Sequence, residues 1–222
     1  MRAPLLWKFE DRVDPGHTAL IVVDMQNDYC DPNGVNARRG RHTQPILDIL
    51  PRVSALVDAA RTANVLVVFV RNIVDPLWRS HSPVALVNEA HVWADDRVTE
   101  ANSWGSQVLD ALGAGPDDLY VDKSRNSAFQ NTPLEMILRS NGIQTVVITG
   151  QATFACVDCS ARDALNRDFY TVVVGDAVAA TEEDAVFHEA SLKVLQHFLP
   201  RPGVVSTGDV VDAWQRRGPA EK

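Results

Sequence analysis

The sequence has few cysteines and no long apolar run. Three cysteines in 222 residues are too few for a disulfide framework. No stretch approaches the roughly 18 consecutive apolar residues that a membrane span needs. The first residues, "MRAPLLWKFEDR", also lack the apolar run of a signal peptide. We therefore expect a soluble, cytoplasmic protein with no membrane partner.

Basic charge is scarce as well. The formal net charge is −8, whereas nucleic acids and anionic membranes bind basic surfaces. The short basic cluster "ARRGRH" contains Arg38, Arg39 and Arg41. We interpret it as a solvated loop, with a place for Arg41 near a substrate carboxylate as the alternative. The charge argues against a nucleic acid or an anionic membrane as the main partner.

Short β-branched runs alternate with helix-like segments along the chain. The runs are "TALIVVDM" (18–25), "VLVVFVRN" (65–72), "DLYVDK" (118–123), "TVVITG" (145–150) and "YTVVVGDA" (170–177). Because these runs are apolar on both faces, they predict buried parallel strands. Helical spacing marks residues 44–64, with Pro51 as an interruption, 131–142, 156–168 and 182–198, the last amphipathic helix.

This alternation predicts one α/β domain over residues 1–222. Helices should cover both faces of a mostly parallel central sheet, which gives a three-layer α/β/α architecture. Residues 73–105, which include Trp93, have little periodicity. A long irregular segment in such a fold is a candidate lid or subunit contact.

Ligands of parallel sheets bind beyond the carboxyl ends of the strands. The predicted strand ends carry Asp24, Asn27, Tyr29, Arg71, Asn72, Lys123, Asn126 and Phe129, and Cys156 begins the helix after the fourth strand. An acid, an amine and a thiol thus reach one edge of the sheet. Taken singly, Asp24 could cap a turn, Lys123 could be a surface lysine and Cys156 a small buried side chain. Together they indicate a catalytic group.

The thiol in this group has a predicted ionisation state. A cysteine in the first turn of a helix, beside a lysine, is expected to have a lowered pKa. We therefore expect Cys156 to exist partly as thiolate, which is the form that attacks a carbonyl carbon.

Cys156 and Cys159 form a C-x-x-C spacing that has other interpretations. A redox pair is one, although a thioredoxin-type domain is about half as long as this chain. A zinc site needs about four ligands, and no second cysteine pair or H-x₃-H spacing is present. A single working thiolate, with Cys159 packed inward, is the interpretation we favour.

Three segments in order resemble the isochorismatase-like cysteine hydrolase superfamily. They are "ALIVVDMQNDYCDPNG", "DKSRNSAFQNTPLEMILRSNGIQTVVITG" and "QATFACVDCSARDA". The resemblance spans about residues 16–200 and implies a Rossmann-like core of that extent. It implies that Cys156 is the nucleophile, Asp24 the general base and acid, and Lys123 the group that stabilises charge. It also implies a cis peptide before Ala152, whose N–H would form an oxyanion hole with that of Cys156.

The same resemblance implies the reaction class. Superfamily members with this cysteine cleave amide-type C–N bonds, so we expect an amidohydrolase of linear amides that acts through a thioester, with no cofactor. The metal-binding D-x-H-x-x-H pattern of the nicotinamidase branch is not reproduced in "RNIVDPLWRSHSP", so no metal is expected. A homo-oligomer, dimer or tetramer, is implied. The alternatives are a non-catalytic binding protein on this fold and the redox pair.

The segment "SRNSAFQNTPLEMILRSNGI" restricts the expected substrate class, because it most resembles the ureidoacrylate and carbamoyl-amide amidohydrolases. We expect a small amide, ureido or carbamoyl compound. Its polar contacts are predicted to be Tyr29, Asn72 and Asn126, and its apolar walls Trp78 and Phe154. Asn126 and Phe154 differ from the residues usual in ureidoacrylate hydrolases, and both changes fall where they could line the pocket.

Overall fold

The computed structural model describes residues 5–87, 98–116 and 118–218. These residues form a single α/β domain around a six-stranded sheet of order β3-β2-β1-β4-β5-β6. Every strand pairing in the sheet is parallel. The strands are β1 Thr18–Val23, β2 Leu66–Asn72, β3 Leu119–Lys123, β4 Thr145–Gln151, β5 Tyr170–Ala179 and β6 Val204–Val205.

Five of these strands coincide with the apolar runs of the sequence, and the sixth does not. β6 contains only two residues, which is too short to produce a period-2 or continuous apolar signal. It is held at the sheet edge because Val204 and Val205 pair with Val173 and Val174 of β5. The prediction of buried parallel strands is confirmed for the other five, each of which is buried at its centre.

Helices connect the strands and flank the sheet. They are α1 Phe9–Arg12, α2 Asn27–Cys30, α3 Val35–Arg38, α4 Gln44–Thr62, α5 Leu134–Ser140, α6 Asp158–Leu165, α7 Ala185–Phe198 and α8 Thr207–Arg217. The described part of the chain contains no helix long and apolar enough to cross a membrane. Trp93 and the rest of 88–97, part of the irregular segment, lie outside the described residues.

The two faces of the sheet are covered by different helices. Leu20 and Val22 of β1 pack on the side of α4 and α8. Ala19, Ile21 and Val23 point to the opposite side, where α5, α6 and α7 lie. This alternation is the period of 2 of a β-strand, and it confirms the three-layer α/β/α architecture.

Two expectations about the helices were wrong. α4 runs without a break through Pro51, because Pro51 is on the solvent side and the opposite face is buried, including Ile49, Val53 and Leu56. The helix at 182–198 is also not the last one. α8 follows it, starts at a Ser206–Asp209 capping box and buries Trp214 completely.

The strand order sets the location of any ligand site. The chain proceeds from β1 through β2 to β3 on one side of β1, and then crosses to β4 on the other side. The carboxyl ends of β1 and β4 therefore flank the topological switch point, the usual ligand site of such sheets.

Gly150 allows β1 and β4 to approach closely at this point. Its φ is +110°, and a Cβ built there would lie 2.1 Å from the Val23 carbonyl oxygen. Gly142 also has a positive φ, +69°, but a Cβ there would meet nothing within 4 Å. Gly142 is therefore a matched control for backbone strain without steric overlap.

We expect Gly150→Ala to lower the free energy of unfolding by at least about 3 kcal/mol, since strain and overlap add. Gly142→Ala should cost only about 1–2 kcal/mol from the positive φ. Urea unfolding of the two variants and the wild type measures this difference. Equal losses for both would contradict the close approach.

Candidate functional site

Asp24, Lys123 and Cys156 meet at the carboxyl edge of the sheet. The Lys123 Nζ lies 2.8 Å from Asp24 Oδ2 and 3.2 Å from Cys156 Sγ. The side chains of Asp24 and Lys123 are each only 1% exposed. Asp24 Oδ1 is also buried, and it accepts no hydrogen bond from the described residues. The amine thus bridges a carboxylate and a thiol, and one carboxylate oxygen stays available.

Backbone contacts hold Asp24 in place directly after β1. Its φ is +51°, and its N–H donates to the Val70 carbonyl at 2.9 Å. Its carbonyl accepts a hydrogen bond from the side-chain amide of Gln151 at 3.1 Å. Because Gln151 ends β4, this bond ties the carboxyl ends of two neighbouring strands together.

Cys156 lies in a five-residue π-type turn, Thr153–Val157, between β4 and α6. The Gln151–Ala152 peptide bond before this turn is cis. The hydroxyl of Ser160 donates to the Cys156 carbonyl at 2.6 Å and accepts from the Ala128 N–H at 2.9 Å. Ser160 therefore links the cysteine turn to the loop that follows Lys123.

The expectation of a lowered thiol pKa was wrong. Burial, followed by the negative charge of Asp24, raises the pKa of Cys156 to about 12. The nearby Lys123 lowers it only in part. The sequence predicted the lysine next to the thiol, but the opposing effect depends on desolvation and on a carboxylate 132 positions away.

Lys123 itself is stabilised as a cation. Burial disfavours the charged amine, but interactions headed by that with the Asp24 carboxylate outweigh this effect and raise the pKa of Lys123. Tyr29, next to this group, has its phenol pKa raised by burial and by Asp24. At neutral pH the arrangement is therefore a carboxylate–ammonium pair beside a neutral thiol.

A cavity of about 350 Å³ opens over this group. We call it the strand-end pocket. All the residues predicted to act in catalysis or to contact the substrate line it: Asp24, Tyr29, Asn72, Trp78, Lys123, Asn126, Ala152, Phe154 and Cys156. Three other strand-end candidates do not line it. Asn27 donates from its side-chain amide to the Trp104 carbonyl at 2.9 Å. Arg71 pairs with the exposed Asp122, and Phe129 packs into the core against Phe169.

The predicted contact residues differ in how they are held. Asn72 donates from Nδ2 to the Tyr29 hydroxyl at 2.6 Å, so these two polar groups already form a pair. Trp78 stacks edge-on against His81, with ring centroids 5.0 Å apart. Phe154 is 37% exposed and packs against Phe187, while Asn126 is exposed.

Several lining residues were not predicted from the sequence. They include Asn36, Ser124, Arg125, Thr181 and Asp184. Arg41, for which a solvated loop was the favoured interpretation, also lines the pocket and pairs with Asp184. Ser124 and Arg125 directly follow Lys123, so their position along the chain was a usable signal. Asp184 carried none, because it reaches the site only through the loop after β5.

Cys159 lies outside the strand-end pocket. It is partly buried, and both it and Cys156 are free thiols. Asp75 and His81, the acid and the histidine of the segment after β2, are engaged separately. Asp75 pairs with Arg79, and His81 contacts Trp78. The described residues contain no cluster of three or more histidine, cysteine or acidic side chains that could hold a metal.

Comparison with known proteins finds a family match over most of the chain. Residues 18–209 match the isochorismatase domain family. A ureidoacrylate amidohydrolase of Methylobacterium radiotolerans is 32% identical over 198 residues, which cover 84% of this chain and 76% of that protein.

Solved structures of similar proteins share the fold. A cysteine hydrolase from Pseudomonas syringae pv. phaseolicola 1448A has a TM-score of 0.81 and 27% identity, covering 98% of this chain and 100% of that one. An N-carbamoylsarcosine amidase from Thermoplasma acidophilum has a TM-score of 0.68 and 28% identity, covering 86% and 96%. The family match and the shared fold show that this chain belongs to the isochorismatase family.

Proposed function

We propose that the chain is a cysteine-dependent amidohydrolase that cleaves a C–N amide or ureido bond of a small molecule through a thioester. The observation that carries the proposal is the buried Lys123 amine between Asp24 Oδ2 and Cys156 Sγ, at the floor of a pocket that fits a small ligand. The similar ureidoacrylate amidohydrolase and N-carbamoylsarcosine amidase support the substrate class.

The reaction begins with a neutral thiol. Because the pKa of Cys156 is about 12, attack on the substrate requires that a base take the thiol proton. The Oδ1 atom of Asp24, which no described residue contacts through a hydrogen bond, is suited to accept it. Lys123 stays protonated and stabilises the thiolate as it forms.

Bond formation and cleavage then follow in two halves. The sulfur adds to the carbonyl carbon, and the N–H groups of Ala152 and Cys156 stabilise the developing oxyanion. Asp24 returns its proton to the nitrogen as the C–N bond breaks, and ammonia or an amine leaves. Water, deprotonated by Asp24, attacks the thioester; the C–S bond breaks and the sulfur recovers its proton. The proposed reaction requires a small-molecule amide as the substrate. That the chain forms a homo-oligomer stays a prediction.

Replacement of the two cysteines tests which thiol works. We expect Cys156→Ser to lower ammonia release from ureido acids, carbamoyl compounds and carboxamides by at least about a thousandfold, as nucleophile removal does in other hydrolases. Cys159→Ser, outside the pocket, should change it by less than about threefold. Equal losses would favour the paired-cysteine interpretation, and no ammonia from any compound with the wild type would refute the proposed substrate class.

The ionisation of the thiol is a second test. Thiolate absorbance at 240 nm, taken as wild type minus Cys156→Ser, should show no step below about pH 10. An ordinary cysteine with a pKa near 8.5 would already be mostly ionised there. The pKa of Cys156 is raised because burial and the charge of Asp24 both disfavour the thiolate. A step with its midpoint below about pH 7.5 would mean that Lys123 dominates instead.

The ion pair can be tested apart from the chemistry. Lys123→Met alone leaves a buried carboxylate without a partner and should cost about 3–5 kcal/mol of unfolding free energy. The double variant Asp24→Asn/Lys123→Met should recover at least half of that loss, whereas ammonia release should be absent in both. Urea unfolding and the ammonia assay measure the two effects.

The exposed Arg71–Asp122 pair provides the control for this experiment. Arg71→Met should lower the unfolding free energy by no more than about 1 kcal/mol. Asp24→Asn alone completes the comparison. If the double variant lost as much stability as Asp24→Asn and Lys123→Met lose in sum, the coupling of Asp24 to Lys123 would be refuted.

A further inference from the structure

The strand-end pocket has more positive than negative charge. Among the described lining residues the charged side chains are Asp24, Arg41, Lys123, Arg125 and Asp184. Three of these are cations and two are carboxylates, although the whole chain carries a net charge of −8. The pocket is therefore a locally positive site on an acidic protein, an arrangement that favours an anionic ligand.

Two of the three cations are already neutralised. Lys123 lies 2.8 Å from Asp24 Oδ2, and it is committed to the floor of the pocket. The guanidinium of Arg41 pairs with the carboxylate of Asp184 and donates to the Thr181 hydroxyl at 2.6 Å. Because each of these cations has a carboxylate partner, neither adds net charge for a ligand.

Arg125 is the remaining cation. Its Nη1 donates to the Ser80 carbonyl at 3.1 Å and to the carbonyl of Ser124. Both acceptors are neutral, and no described carboxylate pairs with it. Its Nε and Nη2 make no hydrogen bond to a described residue. Those two atoms form one edge of the guanidinium, and this edge matches the two oxygens of a carboxylate in a bidentate contact.

We propose that Arg125 binds a carboxylate of the substrate, so that the preferred substrates are ureido or N-carbamoyl acids. The inference rests on the proposed amide hydrolysis and adds the group that selects among amides. The contact with Ser80 holds the guanidinium against the 75–81 segment, which carries Trp78 on the pocket wall. The carboxylate would then lie at this wall, with the scissile carbonyl at Cys156.

Matched substrate pairs test the assignment. Each pair is a ureido or N-carbamoyl acid and its alcohol analogue, in which CH₂OH replaces the carboxylate. The wild type should prefer the acid in kcat/KM. Arg125→Gln should lower kcat/KM for the acid about 10- to 100-fold, mainly through KM, because a charge-assisted hydrogen bond is lost. Its kcat/KM for the alcohol should change by less than about threefold.

Two further variants guard against a general structural effect. Arg125→Lys keeps the charge and should retain part of the preference for the acid, with a fold that is intact by thermal unfolding. Arg38→Gln is the matched control, since Arg38 also donates to a backbone carbonyl, that of Asn33, but is exposed outside the pocket. It should leave both substrates unaffected.

Other results would overturn the assignment. If Arg125→Gln lowered kcat/KM equally for the acid and the alcohol, the role of Arg125 would be structural, through its hydrogen bonds to the Ser80 and Ser124 carbonyls. Loss of the preference in Arg41→Gln, with Arg125→Gln unchanged, would assign the carboxylate to Arg41. A wild type that hydrolyses both members of a pair equally would also refute it.

A binding measurement separates this inference from the proposed chemistry. Isothermal titration calorimetry of Cys156→Ala with each member of a pair needs no turnover. The acid should bind at least about 10-fold more tightly than the alcohol, and Arg125→Gln in the same background should remove that difference. If the wild type released no ammonia, the proposed reaction would fail, and the titration would still decide the role of Arg125. Absence of any difference would refute that role.

Discussion

The buried ion pair between Asp24 and Lys123 is the constraint on which the site depends. Both side chains are almost fully removed from water and lie 2.8 Å apart. Either charge alone would be costly at this position, since an uncompensated buried charge destabilises a protein by several kcal/mol. The pair is held by the ends of β1 and β3, and the Gln151 amide fixes the Asp24 backbone to the end of β4. The same contacts therefore hold the strand ends together and position the side chains of the site.

The same carboxylate determines the state of the thiol. Without Asp24, a lysine 3.2 Å from Cys156 would favour the thiolate. With Asp24 present and the thiol buried, the pKa rises and the sulfur stays protonated. A resting thiol is less prone to alkylation and oxidation than a thiolate. The nucleophile is thus generated when Asp24 takes the proton in the presence of the substrate.

In the strand-end pocket, the residues proposed for catalysis and those proposed to select the substrate lie on different parts of the fold. Asp24 and Lys123 are fixed at the ends of strands, and Cys156 lies in the turn directly after β4. Arg41 and Arg125 belong to loops. Loops vary more readily than the strands they connect, so a common floor can serve different substrates. Arg125, which pairs with no carboxylate of the described residues, lies in this loop layer, next to a floor in which the charges of Asp24 and Lys123 cancel.

The sequence alone determined the α/β class, the central strands and the meeting of Asp24, Lys123 and Cys156, because continuous apolar runs form parallel strands whose carboxyl ends share one edge. Features that depend on distant partners were decided only by the tertiary structure. The thiol pKa depends on burial and on Asp24, and the pairing of Arg41 depends on Asp184. Likewise, α4 continues through Pro51 because the sheet buries its opposite face. The periodicity of the local sequence predicts strands and helices. Desolvation and charge pairing arise only when segments far apart in the chain come into contact.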